Sequence, residues 1–188
     1  MRNLSRYAAM FLALAAALPA QADDKCSAKP DAARSDAAVR TLTELGADIQ
    51  VRDERGQRKV MLTTDGNWRG GDEGLAHLKD VAGLYKLRLA GDITDVGLAR
   101  LADLCELTSL DLHIIGVTDA GVAQVGRIKR LQRLNLTYTK VTDAGLDALA
   151  GLHDLQWLGL SYTRVTLAGI DKLRQSLGNT IIEGNPSR

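Results

Sequence analysis

Leu134-Asn135-Leu136-Thr137-Tyr138-Thr139-Lys140-Val141-Thr142-Asp143-Ala144-Gly145-Leu146 carries two periodicities in one short run. Leu134 and Leu136 alternate with Arg133 and Asn135, which is the period of a strand with one apolar side. After a turn, Thr142 is a residue type that caps helix N-termini and Asp143 sits where the helix dipole favours an anion. Leu146 and Leu149 then share one face of a short helix. The unit therefore reads strand, turn, helix. It recurs in both directions: Ile93-Thr94-Asp95, Val117-Thr118-Asp119 and Val141-Thr142-Asp143 start 24 residues apart, and Val165-Thr166 follows at the same interval. The columns Leu146, Leu149, Leu152, Leu155, Leu158 and Leu160 match Val122, Val125, Ile128, Leu131, Leu134 and Leu136, and before them Leu98, Leu101, Leu104, Leu107, Leu110 and Leu112. An initial copy, Leu75, Leu78, Val81, Leu84, Leu87 and Leu89, sits 23 residues upstream because its turn after Asp92 is one residue shorter. No copy can bury its leucines alone. Stacking places the strands in a parallel sheet with helices on the opposite face, so the expected fold is an α/β solenoid.

The pattern Leu-x-Leu-x-x-Thr-x-Val-Thr-Asp-Ala-Gly-Leu, running from Leu134 to Leu146, resembles the leucine-rich repeat superfamily. It is most similar to the class found in F-box leucine-rich proteins and in many secreted bacterial repeat proteins, over about Val39 to Asn185. The resemblance implies a right-handed arc with a concave parallel sheet that usually binds protein partners. The usual Asn or Cys at the end of the strand segment is replaced by Asp92, Ile115, Thr139 and Thr163. The threonines can still hydrogen-bond the turn, whereas Ile115 cannot. No F-box is recognisable, and the N-terminal segment argues against a cytosolic ubiquitin-ligase role.

That segment, residues 1–22, has Arg2 and Arg6 before an apolar run from Tyr7 to Leu18 and closes on Ala20-Gln21-Ala22. These are the parts of a secretory signal peptide cleaved after Ala22. A bilayer span needs about 20 apolar residues, and this run is shorter, so no stable membrane insertion is expected after cleavage. The expected location is the periplasm or the exterior. Residues 23–36 are poor in large apolar side chains and read as a flexible lead-in. Over 37–66, Ala37, Ala38, Leu42 and Leu45 recur at helical spacing up to Gly46, followed by two extended runs around Asp53-Glu54-Arg55-Gly56. A helix and a hairpin placed there would cap the end of the repeats, which fill 67–188 with four clear copies and a degenerate last one.

The whole chain carries 24 basic and 23 acidic residues, and removal of residues 1–22 leaves 22 against 23, a net charge of −1. With no basic stripe, nucleic acid is not an expected partner. Only 4% of residues are aromatic, so the core must be aliphatic. Cys26 and Cys105 are the only cysteines and could form a single disulfide in an oxidising compartment. Glycine recurs at one place in the helical half, at Gly74, Gly97, Gly121, Gly145 and Gly169, although it costs about 0.5–1 kcal/mol there relative to alanine. Close contact between neighbouring helices is the expected reason.

Strand residues between the leucines face the open side and align across repeats: Lys86, Ser109, Arg133, Trp157, then Arg88, Asp111, Asn135, Gly159, then Ala90, His113, Thr137, Ser161. Gly91, Ile114, Tyr138 and Tyr162 follow near the rim. Arg, Tyr and Trp are over-represented in binding hot spots. The expected partner-binding set is Arg88, Asp111, His113, Arg133, Asn135, Tyr138, Trp157 and Tyr162, with a protein as partner. Alternatively Tyr138 and Tyr162 stack only to stiffen the ladder, and Trp157 only covers the last strand. A carbohydrate- or cell-wall-binding module, or a purely structural assembly role, are the other functional readings. Ser109, Asp111 and His113 supply the letters of a catalytic triad, yet no nucleophile turn, oxyanion loop or deep cleft accompanies them, so no enzyme is expected. Asp65, Asn67, Asp72 and Glu73 match no calcium motif and read as a solvated loop, and no cofactor or metal is called for.

Overall fold

The computed structural model describes residues 29–113 and 116–184, so the signal-peptide segment, Cys26, Ile114 and Ile115 lie outside the described residues. Asp31 caps the first helix, α1 (Ala32–Glu44), accepting from the Arg34 N–H at 2.8 Å. The helix thus begins inside the stretch read as a lead-in, because a capped turn of small residues can be helical without large apolar side chains. Gly46 leaves it at φ +96°, where the chain turns back into the hairpin β1 (Asp48–Glu54) and β2 (Gln57–Thr63). These two strands pair antiparallel, and β2 also pairs in parallel with β3 (Leu84–Arg88). The cap therefore continues into the repeat sheet without a break.

From β3 the sheet proceeds in chain order through β4 (Ser109–Asp111), β5 (Arg133–Asn135), β6 (Trp157–Gly159) and β7 (Ile181–Glu183), all parallel. The register sets Leu87, Leu110, Leu134, Leu158 and Ile182 side by side. Helical turns cross behind: α2 (Gly71–Gly74) and α3 (Asp95–Leu98) each continue as 3-10 turns, while α4 (Asp119–Val125), α5 (Asp143–Leu149) and α6 (Leu167–Leu177) are single helices. Every residue of the six leucine columns in the four clear copies is buried, in one continuous core running from α1 to α6. This is a leucine-rich repeat fold: an arc with its parallel sheet concave. In the last unit Ile170, Leu173 and Leu177 complete that core, but Ile181 does not. It pairs with Trp157 on the open side and is 61% exposed, while its neighbour Ile182 packs against the core.

The threonine of each repeat caps its own helix as expected, and it also takes part in a contact not evident from one repeat alone. Asp95 reaches forward one repeat and accepts from Thr118 N at 2.9 Å and Thr118 Oγ1 at 2.5 Å. Asp72 does the same to Thr94, Asp119 to Thr142 and Asp143 to Thr166. Each hydroxyl, having donated to the carboxylate, accepts from a backbone N–H at the start of its own helix. The recurrent glycines make room for this clamp. A Cβ on Gly97, Gly121, Gly145 or Gly169 would collide with the clamping aspartate of the preceding repeat. Close helix contact is thus the reason for glycine, with the carboxylate as the atom group in contact. Leu167 occupies the aspartate place in the last unit and is 58% exposed. Asp119→Ala is expected to lower unfolding free energy by about 2–3 kcal/mol in urea titration, since two hydrogen bonds to a charged group are lost. A loss below about 1 kcal/mol would match the helix dipole alone and leave the clamp without weight.

Residues 65–73 are largely solvent-exposed as expected, Asp65, Asn67 and Glu73 among them, but Trp68 pins the segment to the first repeat. The Trp68 ring lies against Gly70 and Gly74, where a Cβ on Gly74 would stand 2.7 Å from Cζ2, and its Nε1 donates to Gly71 O at 3.3 Å. Asp65 accepts from Asn67 N and Asp72 is the first clamp, so their oxygens are already engaged. Among the described residues no group of His, Cys, Asp and Glu is arranged to hold a metal ion, and no helix is long and apolar enough to cross a membrane. Thr139 and Thr163, at the strand-end position, donate to Leu136 O and Leu160 O at 2.6 and 2.7 Å and are buried. Cys105 is disulfide-bonded, and the chain has one other cysteine, Cys26.

Candidate functional site

Strand pleat and register determine which side chains meet on the open face. Lys86, Ser109, Arg133 and Trp157 form one row and Arg88, Asp111, Asn135 and Gly159 the next, as the alternation predicts. Seven of the eight expected contact residues fall into three groups, and Asn135 stands apart. Arg88 Nε lies 3.4 Å from Asp111 Oδ2, and Asp111 Oδ1 accepts from the His113 backbone N–H at 3.2 Å. His113 Nδ1 is also 3.2 Å from that oxygen, but the angle is unfavourable and this nitrogen makes no hydrogen bond among the described residues. Arg133 places its guanidinium carbon 5.1 Å from the Trp157 ring centroid, a cation–π distance. Gly159 permits the Trp157 ring to lie along its own strand: a Cβ there would stand 2.6 Å from Cη2. Asn135 turns its side chain to its own loop, accepting from Thr137 N at 3.1 Å.

Tyr138 and Tyr162 make the third group. Their rings stack at 4.3 Å with an interplanar angle of 4°, and both residues are more than half exposed. Both backbones are left-handed, at φ +61° and +58°, a conformation that strains a residue with a bulky side chain by about 1–3 kcal/mol. The first repeat puts Gly91, at φ +90°, in the equivalent place. The Tyr138 hydroxyl is held above the ordinary tyrosine pKa, first by lost hydration, then by hydrogen bonding to Tyr162 and by its charge. The stacking alternative is thus realised in geometry, but stacking alone does not account for tyrosine at a position that glycine occupies without strain.

Asp111 is committed to Arg88 and the His113 main chain, and among the described residues no hydrogen bond joins Ser109 to His113. The triad letters therefore do not assemble into a nucleophile and base. His77 and His153 sit on the turns behind the sheet, away from His113. Lys86 was placed in its row but left out of the expected contact set. The signal that identifies it is the acid content of that row rather than its own residue type.

No family model matches the chain, and no curated protein is significantly similar to it. Among solved structures it is similar to an internalin of Listeria monocytogenes (16% identity, TM-score 0.41, covering 61% of this chain and 39% of that one). It is likewise similar to internalin C2 of that organism (17%, 0.42, 68% and 73%). A third is the leucine-rich repeat ectodomain of the receptor kinase SOBIR1 from Arabidopsis thaliana (16%, 0.44, 85% and 99%). The chain spans well under half the length of the first of these. Its own repeat geometry is what assigns the fold.

Proposed function

We propose that the chain is an exported interaction module that docks a protein partner on the concave face of its sheet, using Arg88, Asp111, His113, Arg133, Asn135, Tyr138, Trp157 and Tyr162 and no cofactor. The observation that carries this reading is the pair Tyr138 and Tyr162. Two large aromatic rings stay exposed, on strained backbones, where the first repeat uses Gly91. Retained strain at exposed aromatic residues is a mark of binding surfaces. Export rests on the signal features of residues 1–22 and fits the disulfide at Cys105, since such bonds persist in oxidising compartments.

Affinity capture by the mature protein from its own envelope extract tests the reading. Trp157→Ala and Tyr162→Gly are each expected to reduce capture about tenfold or more. Tyr162→Gly should change stability by less than about 1 kcal/mol, because its side chain is mostly exposed and glycine removes strain, and Trp157→Ala, whose ring is half-buried, by about 1–2 kcal/mol. Undiminished capture would move the interface to the helical face or the cap. A marked loss of stability in Tyr162→Gly would return the tyrosines to a purely structural role. The flat Tyr138–Tyr162 stack also favours a carbohydrate reading, which binding to glycans or peptidoglycan would bring forward.

A further inference from the structure

On the reading that the concave face is the docking surface, we propose that it takes an acidic, proline-containing segment of the partner in polyproline II conformation, with carboxylates three residues apart on Lys86 and Arg133. The first observation is a local charge asymmetry. The row from Met61 through Lys86, Ser109, Arg133 and Trp157 to Ile181 contains no acidic residue. In the next row the one cation, Arg88, has its charge met by Asp111. Lys86 and Arg133 are both exposed, and among the described residues neither has a carboxylate within ion-pair distance. The chain as a whole is close to neutral, so this is a feature of the row and not of the protein.

The second observation is spacing. Lys86 and Arg133 lie on strands two apart in register, which at about 4.8 Å per strand separates them by roughly 10 Å across the sheet. A β-extended ligand repeats the same side every two residues, near 7 Å, and does not fit that interval. Polyproline II turns once in three residues and rises about 3.1 Å per residue, so residues three apart share a side at roughly 9 Å. Ser109, small and half-buried between the two cations, leaves room for the ligand to pass. Trp157 lies one strand beyond Arg133, in position to receive a proline ring that follows the second carboxylate. Arg133, beside the Trp157 ring, links the charged and aromatic halves of the row.

Three synthetic proline-rich peptides test this: one with two glutamates three residues apart, one with glutamine in their place, and one with the glutamates adjacent. Binding to the full mature protein is followed by tryptophan fluorescence, with Trp157→Phe identifying the reporting ring. The spaced glutamate peptide is expected to bind about tenfold more tightly than the glutamine peptide, given two exposed charge pairs. That advantage should shrink on raising the salt and fall to about twofold in Lys86→Gln or Arg133→Gln, both surface changes that leave the circular dichroism unaltered. Equal affinity for glutamate and glutamine peptides overturns the acidic ligand, equal affinity for spaced and adjacent glutamates overturns the polyproline register, and no binding of any peptide overturns both. If the peptides fail while partner capture still depends on Trp157, the docking face stands and only its ligand chemistry falls. If capture is also indifferent to Trp157, the face falls too.

Discussion

Gly121→Leu is expected to lower the unfolding free energy by about 3–5 kcal/mol, because overpacking and loss of a charged hydrogen-bond pair fall on the same spot. The added Cβ would meet Asp95 Oδ1, stand 3.1 Å from Asp95 Cγ and lie 2.9 Å from Leu98 Cδ1. Neither neighbour can retreat. Asp95 is held by Thr118 N and Oγ1, and Leu98 is completely buried. Relief must either release the carboxylate, which leaves the Thr118 N–H unpaired, or push α4 away from α3 and open the core between Leu98 and Val122. Gly121→Ala already adds the offending atom and should fall between wild type and the leucine variant. Gly116→Ala serves as a control, since a Cβ there meets nothing within 4 Å. The denaturant midpoint of the three variants decides the matter. A leucine variant that unfolds with the wild type would remove the clamp as the reason for glycine in this column.

The clamp also shows where sequence reading stops. Period and spacing identify the leucine columns, the threonine caps and the rows of the open face because each follows from rules within one chain segment: pleat alternation, helical periodicity, capping chemistry. Asp119 reads locally as a helix-dipole residue, and it is that, but its carboxylate is spent on Thr142 in the following repeat. Nothing inside a single repeat specifies that partner. What could have revealed it is the aspartate recurring 23 residues before a threonine in successive repeats, Asp95 before Thr118, Asp119 before Thr142 and Asp143 before Thr166. Trp68 was missed for a similar reason: its ring fills space left by Gly70 and Gly74, and absent side chains leave no hydrophobic pattern. On the open face, residue types pointed to Arg133 and Trp157, which do meet, and to Tyr138 and Tyr162, which do stack. The left-handed backbone under the tyrosines was not legible, since tyrosine is not a residue type that announces positive φ. The glycine at Gly91, one rim position in the same column, was the available hint.

Leu134→Ala is expected to cost about 3–4 kcal/mol, as removing a fully buried leucine does when neighbours cannot collapse into the space. Leu134 is fully buried and sits in register between Leu110 and Leu158, themselves no more than 1% exposed, so walls on both sides are fixed by their own repeats. The effect should also have a shape. In a solenoid each repeat is stabilised mainly by its two neighbours, and a defect in the middle weakens the coupling between the halves. Urea unfolding of Leu134→Ala should therefore broaden or separate into two steps, with a lower apparent slope, whereas Leu177→Ala, at the end and 8% exposed, should shift the midpoint by less and keep the transition single. A single sharp transition with unchanged slope in Leu134→Ala would mean that the arc unfolds as one block regardless of where it is damaged. Arg133, the adjacent residue on the same strand, points to the other face, and its alanine variant should move stability by no more than about 0.5 kcal/mol. Neighbours in sequence thus separate stability from binding: the inward residue holds the halves of the arc together, and the outward one is free to be chosen for its ligand.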